Sequence, residues 1–243
     1  MKAMIFAAGL GTRLRPLTND RPKALVEVAG VPLLEIIIKR LSMAGFDEII
    51  INIHHFGGKV ISFLNDHDYF GTNIYLSDER DLLLDTGGGL KKARWFFGDE
   101  PFLVHNVDIL TDLDLKAFYN HHMNSGAAAT VAVRNRTSSR QFLFDPSNRL
   151  SGWQNVKTGE QRICRPQPDL TPQSFSGIHV ISPDLFRFFP DNKRVFSMID
   201  VYLAACGQTT INAYNHDSSN WLDVGTIESL DRAADLLRHL PLE

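Results

Sequence analysis

The chain has few of the features that would place it at a glance. Only two cysteines, Cys164 and Cys206, occur in 243 residues. That is too few, at too wide a spacing, for a metal knuckle or a disulfide framework, so reduced thiols in a cytoplasmic setting are expected. No apolar run approaches the length that spans a bilayer, and the N-terminal one is cut by Gly9 and Arg13, too early for a secretory signal core. Neither sign of charge dominates: 25 basic against 28 acidic residues leave a formal charge of −3, which argues against a nucleic-acid or membrane-surface partner. Any attraction for an anion must therefore be local. Two well-known phosphate motifs are missing as well. Leu14 stands where a dinucleotide fingerprint needs its third glycine, and Gly58-Lys59 is followed by Val60 instead of the Ser or Thr of a P-loop. No internal repeat is present, and in particular no hexapeptide tail that would wind into a C-terminal β-helix.

What is present is a chain that is 44% hydrophobic, long enough to bury a full core and without a composition break that would mark a linker. A single domain over 1–243 is expected. Apolar strand-like runs at 2–7, 48–53, 73–77, 101–106 and 127–133 alternate with helical spacing over 33–44, 58–65, 88–96 and 113–124, where Asp112 is placed to cap the last helix. Such alternation predicts an α/β fold: a Rossmann-like, mostly parallel sheet flanked by helices. After residue 136 the pattern changes to hairpins, with Phe142-Leu143-Phe144 and Arg149 to Trp153 flanking a turn and a further strand at 161–164. A strand over 174–181, helices over 197–206 and 226–237, and a strand over 209–214 complete the reading.

The most informative stretch follows the first strand: Ala7-Ala8-Gly9-Leu10-Gly11-Thr12-Arg13-Leu14-Arg15-Pro16-Leu17-Thr18, then Arg21-Pro22-Lys23. Glycines let successive amides point into one anion-attracting concavity, and Arg13 and Lys23 add full charges that backbone dipoles cannot supply. In an open α/β sheet, ligands lie at the carboxyl ends of the strands, which is where this loop falls. The run is a device for holding phosphate. A lone Gly-x-Gly reads better as an ordinary turn with Arg13 and Lys23 solvated, but the run through Pro22-Lys23 is long enough to reverse that.

This run resembles the signature of the sugar-1-phosphate nucleotidyltransferases, and the resemblance extends over nearly the whole chain. It implies Mg²⁺-dependent transfer of a nucleotidyl group from a nucleoside triphosphate to a sugar 1-phosphate, releasing pyrophosphate. It also implies a nucleotide-binding half over 1–135 and a smaller, β-hairpin-containing sugar-binding half over 136–243. Arg13 is expected on the leaving pyrophosphate and Lys23 on the reacting phosphates. Ala8, Gly9, Gly11, Thr12, Gly87 and Gly88 are expected around the nucleotide, the last two reading the base edge through main-chain groups. Asp108, which follows an apolar strand, and Asp223 in Trp221-Leu222-Asp223-Val224-Gly225-Thr226 match the metal positions although 115 residues separate them. Mg²⁺ suits such a set, since it takes one or two carboxylates together with phosphate oxygens and water.

One departure from the family pattern is Val107, where relatives have glycine before the first metal aspartate. For the sugar, Gly177 in Phe175-Ser176-Gly177, Asn106, Asn155 and Glu160 are the candidates. His54-His55 and His121-His122 are not chelating pairs, because neighbours in a strand face opposite ways and in a helix lie about 100° apart. Length and the Asp85 to Gly89 loop look most like the N-acetylmuramate 1-phosphate uridylyltransferases, with mannose or heptose 1-phosphate guanylyltransferases and phosphocholine cytidylyltransferases as alternatives. A non-catalytic regulatory relative is a further alternative, against which stands the presence of Arg13, Lys23, Asp108 and Asp223 together. The sequence leaves the base, the sugar and the oligomeric state open.

Overall fold

The computed structural model describes residues 1–242. In chain order the strands are β1 (Lys2–Phe6), β2 (Glu27–Val28), β3 (Val31–Pro32), β4 (Glu48–Ile53), β5 (Asn73–Asp78), β6 (Phe102–Asn106), β7 (Ile109–Thr111), β8 (Ala129–Arg134), β9 (Arg140–Phe144), β10 (Leu150–Asn155), β11 (Glu160–Ile163), β12 (Thr171–Ile181), β13 (Ile211–Asn215) and β14 (Trp221–Asp223). The helices are α1 (Leu33–Met43), α2 (Gly57–Asp66), α3 (Asp85–Lys92), α4 (Leu115–Ser125), α5 (Met198–Ala205) and α6 (Ser229–Leu237). Two compact units share these elements. One takes Met1–Leu83, Val104–Lys116 and the chain from Ser219 on; the other takes Leu84–Leu103 and Ala117–Ser218. The units interleave along the chain and do not coincide with the halves expected at 1–135 and 136–243.

In the first unit the strand order is β6-β1-β4-β5, and β1/β4 and β4/β5 are parallel with Ile5 opposite Ile51 and Ile51 opposite Leu76. β1 and β4 are continuous apolar runs because both faces of a parallel sheet are covered. β5 alternates exposed and covered residues, as befits the end of the order. Between β3 and β4, helix α1 presents Leu34, Ile37, Ile38 and Leu41 at helical spacing, and all four are buried. Each such side chain contributes about 1.5–3 kcal/mol of burial energy. Asn52 and Glu79 are polar exceptions at the carboxyl ends of β4 and β5, and both are buried.

A second, two-stranded antiparallel sheet of β7 and β14 closes this unit, pairing Trp221 with Thr111 and Asp223 with Ile109. Its end is clamped by polar groups. Asn220 donates from its backbone N–H and its amide to the two oxygens of Asp112, at 2.7 and 2.6 Å, and its carbonyl accepts from Thr111 Oγ1 at 2.6 Å. The capping of the following helix expected from Asp112 is therefore not what this carboxylate does. Thr111 Oγ1 instead accepts from Leu113 N–H at 3.1 Å.

In the second unit β9, β10, β11 and β12 form antiparallel pairs, β12 also pairs antiparallel with β8, and β13 lies parallel to β8. Asp145 shapes the β9–β10 turn, its Oδ1 accepting from Ser147 and Arg149 N–H at 2.9 Å each, with Asn148 at φ 59°. Phe97, Phe102, Phe186, Phe189 and Phe196 form a contiguous aromatic cluster, so the phenylalanine-rich segments are core.

The expectation of free thiols is overturned in this unit. Cys164, just past β11, and Cys206, at the end of α5, form a disulfide with 6.1 Å between their Cα atoms. Sequence spacing could not reveal it, because a strand end meets a helix end only in the folded unit. No β-helix follows α6 among the described residues, and none of their helices is long and apolar enough to cross a membrane.

Candidate active site

The first unit assembles most of the expected phosphate-handling residues. β1 ends at Phe6, Ala7 and Ala8 remain buried, and Gly9 emerges with open space where a side chain would stand. Gly11 adopts φ +64°, and a Cβ there would lie 3.0 Å from both Lys23 Cβ and Thr18 Cγ2. Glycine thus lets the loop turn back against Lys23, and Thr18 Oγ1 locks the turn by donating to Gly11 O at 2.9 Å. Thr12 and Arg13 are exposed on a single 3₁₀ turn whose third residue, Leu14, is fully buried. The residue that spoils the dinucleotide fingerprint is the hydrophobic anchor of the loop.

Lys23 opens a second 3₁₀ turn after Pro22 and is itself buried, with its Nζ paired to Asp108 Oδ2. Asp108 follows β6 through Val107. That valine answers the question raised by the missing glycine: its side chain is buried, and its N–H donates to Phe6 O at 3.1 Å. A valine is accommodated because this backbone bonds to β1 while the next side chain turns to Lys23. The β7/β14 ladder then brings in Asp223 from the far end of the chain, and Val224 N–H donates to Asp108 O at 2.8 Å. Arg13 completes the group. A Cβ on Gly225 would stand 2.6 Å from Arg13 Nη2 and 2.6 Å from Asp223 Oδ1, so guanidinium and carboxylate crowd the same point above that glycine. Two cations and two carboxylates thus meet beside one glycine loop.

No group of three or more His, Cys, Asp or Glu side chains among the described residues makes a metal cage. Two carboxylates fit Mg²⁺ nonetheless, because that ion draws the rest of its shell from phosphate oxygens and water. Asn106 ends β6 half-buried, and its carbonyl accepts from Nδ1 of the buried His105 at 2.8 Å. Burial pushes the His105 imidazole down to about 4, so the ring is neutral and carries its proton on Nδ1 for this bond. His54 Nδ1 lies 2.6 Å from Glu79 O at the end of β5.

The remaining expected residues lie in the second unit, each with its own local role. Gly87 and Gly88 open α3, and both of their N–H groups donate to Phe196 O, at 2.9 and 3.1 Å. A Cβ on Gly87 would fall 2.5 Å from the Phe196 ring, and one on Gly88 2.1 Å from Arg194 O. The two main-chain donors expected at a base edge are thus engaged within the unit. The close approach that demands glycine is made by the 194–196 segment. Asn155 and Glu160 sit directly opposite each other across the β10/β11 pair, near a turn that holds Gly159 at φ 73°. Asn155 Oδ1 accepts from Lys157 N–H at 3.1 Å, which makes it a turn-forming residue, while Glu160 is exposed. Gly177 lies at φ 79° where the β12/β8 register shifts, so the Phe175-Ser176-Gly177 run is a β-bulge. His122 is buried between Thr130 Oγ1 and Ser182 Oγ at 2.9 and 3.0 Å.

Sequence reasoning missed Gly225, Asn52, Glu79 and Asn220. The first had a signal, its place two residues after Asp223. Asn52 and Glu79 also had one, as polar residues closing strands that are otherwise apolar.

A parallel sheet whose carboxyl edge carries this loop, these cations and these carboxylates is the frame of a nucleotidyl-transferring enzyme, and comparison with known proteins agrees. The family model described as Nucleotidyl transferase matches residues 2–142. N-acetylmuramate alpha-1-phosphate uridylyltransferase of Neisseria meningitidis is 33% identical over 237 residues, spanning 97% of this chain and 98% of that protein. The protein of the same name from Caulobacter vibrioides is 34% identical over 218 residues, 85% of each chain. Among solved structures, a Bacillus anthracis protein assigned as a glucose-1-phosphate thymidylyltransferase, in complex with a sucrose, shares the fold with a TM-score of 0.83 at 20% identity, covering 99% of this chain and 96% of that one. The chain belongs to the sugar-1-phosphate nucleotidyltransferase family.

Proposed function

We propose that this enzyme transfers a uridylyl group from UTP to N-acetylmuramate 1-phosphate, with Mg²⁺ as its metal. The observation that carries the phosphate chemistry is the convergence of Lys23, Arg13, Asp108 and Asp223 in one unit. The substrate assignment is supported by the two uridylyltransferase relatives, which align over most of their own length.

The sugar phosphate needs no general base. Its second ionisation lies near about 6, so at neutral pH it is largely a dianion that attacks the α-phosphorus directly. A new P–O bond forms there as the bond to the β-phosphate oxygen breaks, and pyrophosphate leaves with that electron pair. What opposes the step is repulsion, about 4 kcal/mol for each pair of unit charges 4 Å apart at an effective dielectric near 20. Lys23 answers it at the reacting phosphates and Arg13 at the leaving pyrophosphate. Asp108 and Asp223 would hold Mg²⁺, which supplies further positive charge to the phosphate oxygens. Gly9 and Gly11 allow the backbone to lie close to the nucleotide.

The test is pyrophosphate release from each nucleoside triphosphate paired in turn with N-acetylmuramate, mannose, heptose and glucose 1-phosphates and phosphocholine, with and without Mg²⁺. The expected result is selective turnover of UTP with N-acetylmuramate 1-phosphate that EDTA abolishes. Preferred turnover of GTP with mannose or heptose 1-phosphate would replace the substrate assignment, and metal-independent turnover would remove Asp108 and Asp223 from their role.

A further inference from the structure

The glycine loop leaves the sheet at the peptide joining Phe6 to Ala7, and both ends of that peptide are held. Its carbonyl accepts from Val107 N–H at 3.1 Å, one residue before Asp108. Its N–H donates to Asn52 Oδ1 at 2.7 Å, and Asn52 Nδ2 donates in turn to Glu79 Oε1 at 2.7 Å. Asn52 and Glu79 are 3% and 0% exposed. A carboxyl group at that depth is uncommon and costly unless it is hydrogen-bonded.

The sheet does not require this chain of bonds. In the β4/β5 ladder Asn52 stands opposite Ser77, not Glu79, and the parallel register is complete without either side chain. Asn52 Nδ2 has its acceptor in Glu79 Oε1, which holds the NH₂ end toward Glu79 and leaves Oδ1 facing the Ala7 N–H. Glu79 thereby fixes the orientation of Asn52, and Asn52 fixes the plane from which Ala8 and Gly9 emerge.

We propose that Asn52 and Glu79 are positioning residues for nucleotide binding: they act through the Phe6–Ala7 peptide, setting the backbone of Ala8 and Gly9, and do not touch the nucleotide. This rests on the proposed nucleotidyl transfer and adds to it the source of the loop's rigidity. An acceptor at position 79 is what matters, so Glu79→Gln retains the function and Glu79→Leu loses it.

The experiment compares wild type, Glu79→Gln, Glu79→Leu and Asn52→Ala by steady-state kinetics with both substrates and by amide hydrogen exchange at Ala7. For Glu79→Leu and Asn52→Ala, KM for the nucleoside triphosphate is expected to rise about tenfold, the value of one lost hydrogen bond to a charged or buried partner. KM for the sugar phosphate stays at the wild-type value, Ala7 exchange accelerates about tenfold or more, and Glu79→Gln restores all three. A Glu79→Gln enzyme that binds nucleotide as poorly as Glu79→Leu, or that changes its base preference while Ala7 stays protected, would overturn the proposal and put Glu79 on the nucleotide itself. Should Glu79→Leu fail to fold, that same comparison of Glu79→Gln with wild type still decides it. A wild type that releases no pyrophosphate with any pair would sink the functional reading alone. Unchanged Ala7 exchange in Asn52→Ala would sink the positioning role alone.

Discussion

Two glycine-rich segments, Gly9-Leu10-Gly11 after β1 and Gly87-Gly88-Gly89 at the start of α3, look alike in sequence and are used in opposite ways. Around Gly9 there is open space, and the loop backbone faces outward beside two cations. Gly87 and Gly88 are buried, their donors taken by Phe196 O and the room for a side chain filled by Phe196 and Arg194. Gly9 leaves surface available, although Gly11 beside it packs against Lys23 and Thr18, whereas Gly87 and Gly88 both permit internal close packing. A glycine run therefore announces close approach of a backbone, but not of what.

The contrast can be broken at several points. Lys23→Ala should strike hardest, lowering kcat by about 10²–10³-fold as expected when a preorganised charge is removed from a transition state. Wild-type turnover in that variant would detach the open loop from the chemistry. In the second unit the expected losses are of stability. Reducing the Cys164–Cys206 bridge, which closes a loop spanning 42 positions, should cost about 3 kcal/mol in urea titrations with and without dithiothreitol. Coincident curves would show that the bridge braces nothing.

Gly88→Ala should destabilise by about 1–3 kcal/mol, because its methyl group meets a backbone carbonyl that cannot step aside. The paired variant Gly9→Ala should shift the melting temperature hardly at all while raising KM for the nucleotide. If both glycines prove equally costly to stability, the distinction between them fails. A dependence on pH is shared by both units. Burial holds His105 and His122 down to about 4 from the ordinary 6.5. A depressed histidine binds fewer protons folded than unfolded, so its contribution is full above pH 6.5 and is lost as pH falls from there toward 4. Urea midpoints measured across that window should decline steadily, and Asn replacing either histidine should flatten the decline.

Much of the first unit was legible beforehand. The apolar runs of β1 and β4 and the spacing of α1 state their own structure, and the loop from Gly9 to Lys23 names its chemistry by charge and glycine content. What was hidden depends on contacts between distant segments. Nothing local marks the three-residue strands β7 and β14, since a ladder that short is stabilised by its partner and by the grip of Asp112 on Asn220. Asp112 was misread for the same reason: an acidic residue before a helix looks like a cap until Asn220 arrives. The cysteine bridge likewise joins a strand end to a helix end that sequence distance places far apart. Asn155, a polar residue at a hairpin end expected at the sugar, also shapes the turn there, which sequence alone does not show.

The β7/β14 ladder has a consequence for how the protein comes into being. Asp108 is translated 115 residues before Asp223, which the β7/β14 ladder brings back beside it. Pairing of such distant segments is slow to form and late to be rewarded. A chain still emerging from the ribosome thus holds its cationic loop long before it holds a complete pair of carboxylates, and chemistry waits until β14 has been made.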